Sequence, residues 1–286
     1  MLIAVDDPGD PRLAELSGLR DRVLRPRRGQ PAEATVCIAE GQLVFERALA
    51  AGLACRSVLI AAGEEHRVPA GLAPEVPVYV VPPGTIDLVT GYVVHRGPLA
   101  AFDRPPLASV SSVLGGARRV LVGEGIANPT NLGAMVRSAA ALGFDALLLD
   151  QSSVDPLYRR AARVAMGEGY AFPWTRLPAF PAGLEVLRSA GFRVLALTPA
   201  ADAVPIDEAA ASLSESDHVA LVLGTEGPGL SGETLRAADV RVRIPMSGGV
   251  DSLNVAAATA VACWALRTGG ASRRGGSPGR GEGHAG

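Results

Sequence analysis

The strongest structural signal in this chain comes from the stretch Ile244-Pro-Met246-Ser-Gly-Gly-Val-Asp251-Ser252-Leu253-Asn254-Val255. It joins the end of an apolar segment to a long Ala/Val-rich helix, which we predict over Leu253–Leu266. Ser252 and Asn254 are good helix-capping residues, and a helix start also offers free N–H groups to a ligand. The helix has almost no polar face, which indicates burial against a sheet or against a second subunit.

Part of this stretch, Ser247-Gly-Gly-Val-Asp-Ser252, resembles the pyrophosphate-binding loop of ATP pyrophosphatases. In those enzymes the loop follows the first strand of the domain, whereas here it lies near the end of the chain. An adenylating ATP pyrophosphatase therefore stays open as an alternative function, which an assay of pyrophosphate release would test.

A second informative segment is Leu221-Val-Leu-Gly224-Thr-Glu226-Gly-Pro-Gly229-Leu-Ser231, an apolar strand that ends in a glycine-rich loop with one carboxylate. Such loops let a ligand approach the backbone closely. Gly227, Gly229 and Gly232 also match the spacing of a dinucleotide-binding loop. A dinucleotide fold needs several more strands and helices after that loop, so a nicotinamide-dependent oxidoreductase is kept only as an alternative.

The third segment is Asn128-Pro-Thr-Asn131-Leu-Gly-Ala-Met-Val-Arg137-Ser-Ala-Ala-Ala-Leu-Gly143. It predicts a helix over 131–142 with the N-cap at position 130 or 131 and Gly143 as the C-terminal stop. Arg137 lies nearly two turns after Asn131 on this helix. A surface ion pair is one interpretation of Arg137, and contact with a substrate is the other, because its neighbours are mostly apolar.

Around these segments, short apolar runs alternate with helical periodicity, which predicts an α/β fold with a mostly parallel sheet. We expect a small α/β domain over 1–104, a Pro/Ser/Gly-rich linker over 105–116, a second α/β domain over 117–268 and a disordered tail over 269–286. Strands are predicted at Thr35–Ala39, Ser57–Ile60, Val78–Val81, Val120–Val122, Ala146–Leu149, Arg193–Leu197 and Val219–Leu223, and a helix at Gln42–Ala51.

Composition excludes several classes of protein. The 286 residues carry a net charge of −2, and all 27 basic residues are arginine, so any basic phosphate contact must use a guanidinium. Three cysteines do not make a disulfide framework, and four scattered histidines give no metal-ligand spacing (His66, His95, His218 and His284). No secretory leader and no membrane-length apolar window are found, which predicts a cytoplasmic protein without a membrane partner.

Taken together, the three segments resemble the SpoU (TrmH-type) branch of the SPOUT RNA methyltransferases. The order matches over roughly Arg118–Leu266: an Asn…Arg helix, a strand ending in Gly-x-Glu-Gly, then Ile-Pro-Met followed by Ser-Leu-Asn-Val. The resemblance implies a deep trefoil knot in the C-terminal domain, S-adenosyl-L-methionine as cofactor, and a homodimer formed through that domain. It also implies methyl transfer to a ribose 2′-hydroxyl.

The resemblance further implies which residues form the site. Catalytic roles fall to Arg137, Asn131, Glu226, Ser252 and Asn254. Cofactor contacts fall to Leu223, Gly224, Thr225, Gly227, Ile244, Met246, Ser252 and Leu253. Free arginine has a pKa above about 12, so Arg137 can act as a base only if its pKa is strongly lowered. It can instead hold the RNA phosphate or stabilise the developing alkoxide electrostatically, and these roles stay open. No metal is expected.

The N-terminal part, around Ile38-Ala-Glu-Gly41, resembles a small RNA-binding domain similar to ribosomal proteins that bind kinked RNA. Its basic stretch is expected to contact RNA phosphates through Arg20, Arg22, Arg25, Arg27 and Arg28, or else to form a solvated helix end. The expected substrate is structured RNA, with rRNA favoured over tRNA. An inactive RNA-binding module that kept this fold is the remaining alternative, and a methyl-transfer assay would decide.

Overall fold

The structure is a computed structural model that describes residues 1–19, 35–94, 97–248 and 250–267. Two of the predicted features lie outside these ranges. They are the tail over 269–286 and the basic stretch with Arg20, Arg22, Arg25, Arg27 and Arg28.

The N-terminal part forms a five-stranded mixed sheet. Its strands are β1 (Leu2–Ala4), β2 (Val36–Glu40), β3 (Cys55–Ala61), β4 (Val78–Val81) and β5 (Leu99–Asp103), and its helices are α1 (Gln42–Ala50) and α2 (Thr85–Thr90). The strand order is β1-β4-β3-β5-β2. Strand β4 pairs in parallel with β1 and β3, whereas β5 pairs antiparallel with β3 and β2.

The C-terminal part is built on a seven-stranded sheet. Its strands are β6 (Arg119–Glu124), β7 (Ala146–Leu149), β8 (Trp174–Arg176), β9 (Arg193–Leu197), β10 (Val204–Pro205), β11 (Val219–Gly224) and β12 (Val240–Arg243). Its helices are α3 (Val110–Leu114), α4 (Pro129–Ala141), α5 (Arg159–Val164), α6 (Ala182–Ser189), α7 (Ile206–Ala211), α8 (Gly232–Ala237) and α9 (Val255–Leu266). The order is β10-β12-β9-β11-β6-β7-β8, and every neighbouring pair is parallel.

Helices cover both faces of this sheet, which explains why its inner strands β6, β7, β9 and β11 are mostly apolar and buried. On one face, α4, α7 and α9 pack into a core that includes Leu132, Ile206 and Ala262. On the other face, α3 and α6 contribute Leu114 and Leu187 to a second core. The α/β class and the mostly parallel sheet predicted from the sequence are confirmed.

Two local predictions were wrong. The segment over 105–116 is not only a turn, because α3 forms inside it: Ser109 caps the helix by accepting a hydrogen bond from the Ser112 amide at 3.1 Å, and Leu114 is buried. The N-cap of α4 is Asn128 rather than position 130 or 131, since its Oδ1 accepts from the Thr130 amide at 2.9 Å. Proline is favoured as the first helical residue, so Asn-Pro starts the helix earlier than the apolar pattern indicates.

The two sheets are joined by a buried cluster of charges. The Glu40 carboxylate, at the end of β2, is 5% exposed. It accepts hydrogen bonds from Arg159, from Arg163 at 2.7 Å and from the Tyr92 hydroxyl at 3.1 Å. Both arginines belong to α5, so two ion pairs attach the N-terminal sheet to a helix of the C-terminal part. The pair with Arg159 is buried, whereas the Arg163 side chain is half-exposed.

Helix α5 in turn lies directly against α4. A Cβ atom at Gly133 would lie 2.4 Å from the carbonyl oxygen of Ala161, so only glycine allows the two helices to approach this closely. The N-terminal sheet is thereby connected through α5 to the helix that carries Asn131 and Arg137.

Candidate functional site

A cavity of about 340 Å³ lies at the carboxyl edge of the parallel sheet. Three neighbouring strands, β12, β9 and β11, end there, and the loops that follow them form its walls. Ligands of open parallel sheets bind at this edge, and the volume falls within the range of about 300–1,000 Å³ that is typical of small-molecule sites.

Two of the three segments that the sequence singled out, the glycine-rich loop after β11 and the stretch from Ile244 to Val255, line the cavity. Its wall includes all eight residues expected to contact a cofactor, namely Leu223, Gly224, Thr225, Gly227, Ile244, Met246, Ser252 and Leu253. Glu226 and Asn254, two of the expected catalytic residues, also line it. Because the strands are parallel, segments far apart in the chain end side by side.

Three of the expected catalytic residues meet beside the cavity. The Asn254 amide donates hydrogen bonds to Glu226 Oε1 and, at 3.3 Å, to Asn131 Oδ1. The opposite atom of the same side chain, Oδ1, caps α9 by accepting from the Ala256 amide at 2.9 Å. Asn254 therefore ties the start of α9 both to the glycine-rich loop and to α4, whereas Ser252 lines the cavity without being the cap.

The glycine-rich loop after β11 turns back on itself. The Gly229 amide donates to the Thr225 carbonyl at 3.1 Å, and these two residues form an isolated β-bridge. A Cβ at Gly224 would lie 2.2 Å from the carbonyl carbon of Gly229, so this turn needs glycine at its first position. The loop thus presents Thr225 to Gly229 to the cavity in one compact arrangement.

Arg137 lies apart from the Asn131–Glu226–Asn254 cluster. It is exposed on α4, and it is not among the residues that line the cavity. Six residues of helix separate it from Asn131, which corresponds to about 9 Å along the axis. Its guanidinium is therefore available to a bound molecule or to a second subunit rather than being held by the cluster.

Several lining residues were not expected from the sequence. Leu197 is the last residue of β9, Thr198 and Pro199 follow it, and Asp251 precedes Ser252 in the loop before α9. Thr198 and Pro199 belong to no recognisable motif, and their only sequence signal is that they directly follow an apolar parallel strand.

The lining chemistry fits S-adenosylmethionine, the cofactor implied by the resemblance. Leu223, Ile244 and Met246 offer apolar surface for a nucleoside, and the backbone of the glycine-rich loop offers hydrogen-bonding groups. Of the charged lining residues in the described ranges, Glu226 and Asp251 are both carboxylates and none is basic. A cationic sulfonium compound suits such a wall better than an anionic nucleotide does.

The described ranges show neither a metal site nor a membrane-spanning helix. They contain no group of three or more His, Cys, Asp or Glu side chains arranged to hold a metal ion. Within them, too, each helix falls short of the length and apolar character needed to cross a bilayer. The expectation of a metal-free reaction stays a prediction.

Comparisons with known proteins identify the family of this chain. The sequence profile of the SpoU rRNA Methylase family matches residues 118–264. An uncharacterized tRNA/rRNA methyltransferase of Mycobacterium tuberculosis is 42% identical over 90% of this chain and 89% of its own length. The 23S rRNA (guanosine(2553)-2'-O)-methyltransferase RlmP of Bacillus subtilis is 28% identical over 80% of this chain and 87% of its own length.

A solved structure gives the same result for the fold. The AdoMet-bound rRNA methyltransferase from Sinorhizobium meliloti superposes with a TM-score of 0.76 at 25% identity, covering 93% of this chain and 97% of that one. The family match includes both the strand that ends in Gly224 and the segment from Ile244 to Asn254 that form the cavity. The chain therefore belongs to the SpoU rRNA methylase family and is an RNA methyltransferase that uses S-adenosylmethionine.

Proposed function

We propose that this enzyme transfers the methyl group of S-adenosylmethionine to a ribose 2′-oxygen of structured RNA, with rRNA the favoured substrate over tRNA. The observation that carries the proposal is the Asn131–Glu226–Asn254 cluster beside the cavity. The name of the Bacillus subtilis relative, a 23S rRNA 2'-O-methyltransferase, supports both the 2′-oxygen and rRNA.

The bound cofactor supplies a methyl group on a sulfonium, which is a good leaving group. The protein must then orient a ribose hydroxyl and help to remove its proton. In this proposal Asn254 holds the Glu226 carboxylate in the cavity wall and binds the Asn131 amide beside the cavity. These groups position the ribose, and Ser252 shapes the wall next to Glu226 and Asn254. Arg137 binds the RNA phosphate or stabilises the alkoxide that develops on the 2′-oxygen.

The site is completed, in this proposal, by a second subunit that docks on α9. The exposed face of α9 carries Ala257, Val261 and Trp264, spaced at i, i+4 and i+7, and Trp264 is 58% exposed. Helix α4, which packs against α9, carries Arg137. A homodimer through this face would bury the apolar stripe and bring the arginine of one subunit towards the cavity of the other.

Two further features of the family are part of the same proposal. We propose that the N-terminal part is an RNA-binding domain similar to kinked-RNA-binding ribosomal proteins.

We also propose that the chain between Gly224 and Asn254 is threaded as a trefoil knot. The position of β12 between β10 and β9, followed by the return of the chain to α9, is compatible with threading. A crystal structure with an unthreaded backbone at this place would contradict it. The cytoplasmic location expected from the sequence stays a prediction.

The test is to map 2′-O-methyl sites in total RNA from matched cells with and without the gene, and to repeat the transfer in vitro with tritiated S-adenosylmethionine. We expect one new 2′-O-methyl site in rRNA. The Arg137→Ala variant should lose methyl transfer and keep S-adenosylmethionine binding, because Arg137 is not part of the cavity wall. Methylation of a base instead of a ribose, or loss of cofactor binding by folded Arg137→Ala, would argue against the proposal.

A further inference from the structure

Glu124, the last residue of β6, connects two ends of the glycine-rich loop. Its backbone is paired in the sheet with Gly224, where the loop begins. Its side chain reaches the residues where the loop ends: Oε2 accepts from the Ser231 amide at 3.2 Å, and Oε1 accepts from the Thr234 hydroxyl at 3.0 Å. Glu124 thus contacts both the start of the glycine-rich loop, at Gly224, and its end, at Ser231.

The far end of the loop depends on this carboxylate for its hydrogen bonds. Ser231 caps α8 by accepting from the Thr234 amide at 3.1 Å, and its hydroxyl donates to the Thr234 hydroxyl at 3.0 Å. The Thr234 side chain is fully buried, and its hydroxyl donates a hydrogen bond to Glu124. Without an acceptor at position 124, a buried hydroxyl and a backbone amide would lose their partner, which costs free energy at the loop end.

The residues held in this way form one wall of the cavity. Thr225, Glu226, Gly227 and Gly229 all line it, and Glu226 is also the carboxylate that Asn254 binds. Glu124 itself is not among the lining residues. A change at Glu124 therefore acts on a bound molecule only through the shape of the loop.

We propose that Glu124 is a positioning residue for the cofactor, which fixes the loop over 225–230 in the conformation that binds S-adenosylmethionine. The proposal rests on the cofactor of the family and does not require that RNA be the methyl acceptor at a 2′-oxygen. In the free enzyme, Glu124 keeps this loop already folded, so that binding does not have to order it.

The substitutions Glu124→Ala and Glu124→Gln separate this role from general stability. Glutamine can accept from the Ser231 amide through its oxygen and donate to the Thr234 hydroxyl through its amide, so both contacts can be rebuilt. We expect Glu124→Ala to raise the Kd for S-adenosylmethionine about tenfold, equivalent to about 1.4 kcal/mol. Glu124→Gln should stay within about threefold of the parent, because hydrogen bonds are rebuilt rather than removed.

Asp145 provides the matched control. Its Oδ2 accepts from the Arg118 and Arg119 amides at 2.8 and 2.9 Å, at the opposite end of the same strand. Asp145→Ala removes two hydrogen bonds as well and should lower the melting temperature without changing the Kd for S-adenosylmethionine. If Glu124→Ala does not fold, Thr234→Val removes the buried hydroxyl that donates to Glu124 and accepts from the Ser231 hydroxyl, and it should raise the Kd in the same direction.

Hydrogen exchange in the absence of cofactor reports the loop directly. We expect the amides over 225–231 to exchange faster in Glu124→Ala than in the parent, and at the parent rate in Asp145→Ala. An unchanged Kd in Glu124→Ala, or an equal loss in Asp145→Ala, would overturn the proposal. If the proposed RNA reaction is wrong, the Kd for S-adenosylmethionine and the exchange rates of the loop amides still test the role of Glu124. The two proposals can therefore be refuted independently.

Discussion

The substitution Asn254→Asp separates the two tasks of one side chain. Aspartate caps a helix about as well as asparagine, so the hydrogen bond to the Ala256 amide at 2.9 Å should persist. The amide donor is lost, however, and with it the bonds to Glu226 and to Asn131 Oδ1 at 3.3 Å. A carboxylate then faces the Glu226 carboxylate, and the start of α9 is pushed away from the glycine-rich loop.

The size of the effect follows from the exposure of the pair. A hydrogen bond to a charged group contributes about 1.5–3 kcal/mol. Glu226 is exposed, so the lower end of that range applies here. We therefore expect S-adenosylmethionine to bind about tenfold more weakly, since each 1.4 kcal/mol is a factor of about ten, while the melting temperature changes little.

The pH dependence gives the sign of the effect. Two like charges at short distance raise the pKa of one carboxyl group. As the pH falls from about 7 to about 5, that group gains a proton and again offers a donor. Isothermal titration calorimetry should thus show the Kd of Asn254→Asp moving towards the parent value at the lower pH, with no matching change in the parent.

A cap deleted elsewhere is the control for the helix-capping term. Ser109→Ala removes the N-cap of α3 and should cost about 1 kcal/mol of stability, with the Kd for S-adenosylmethionine unchanged. The reasoning is refuted if Asn254→Asp binds the cofactor as tightly as the parent at neutral pH. It is refuted equally if the weakened binding is insensitive to pH.

Three further outcomes follow from the structure. If the proposed homodimer forms through α9, Trp264→Glu should elute as a monomer in size-exclusion chromatography and the parent as a dimer, whereas Leu88→Glu, at a leucine that is 71% exposed on α2, should elute like the parent. Glu40→Ala should lower the free energy of unfolding by about 3 kcal/mol in urea titration, because the buried carboxylate that accepts from Arg159, Arg163 and Tyr92 is lost. Arg241→Ala breaks an exposed pair and should cost at most about 1 kcal/mol. Burial raises the pKa of Cys263 to about 12, so the unfolded thiol ionises first as the pH rises; stability should fall above about pH 9 in the parent and less steeply in Cys263→Ala, and equal slopes would contradict this.

The elements that the sequence predicted are those with a strong local signal. The strand predicted over Ala146–Leu149 has the same bounds in the structure. Its four consecutive apolar residues are typical of a strand that is buried on both faces of a sheet. Trp174–Arg176 and Val204–Pro205 were missed, since two or three residues are too short to show any period. The cap at Asn128 was missed because the apolar pattern starts later than the helix itself.

The site could be predicted only in part, for a related reason. Local motifs mark the loops after β11 and β12, and residues from both motifs line the cavity. Thr198 carries no motif of its own and enters the wall only because β9 lies between those two strands. Glu124 was missed as well, since its partner Thr234 lies 110 residues away in sequence and neither residue forms part of a repeated pattern.

The position of Arg137 separates two requirements of the proposed reaction, which are cofactor binding by one chain and methyl transfer with RNA or a second subunit. The residues that line the cavity and the Asn131–Glu226–Asn254 cluster all come from one chain, so we expect a monomer to bind S-adenosylmethionine. The exposed Arg137 guanidinium belongs to no part of that wall and reaches a reacting 2′-oxygen only if RNA or a second subunit is placed over α4. A monomeric Trp264→Glu variant should therefore keep cofactor affinity and lose methyl transfer, whereas a variant that keeps both would mean that each chain acts alone.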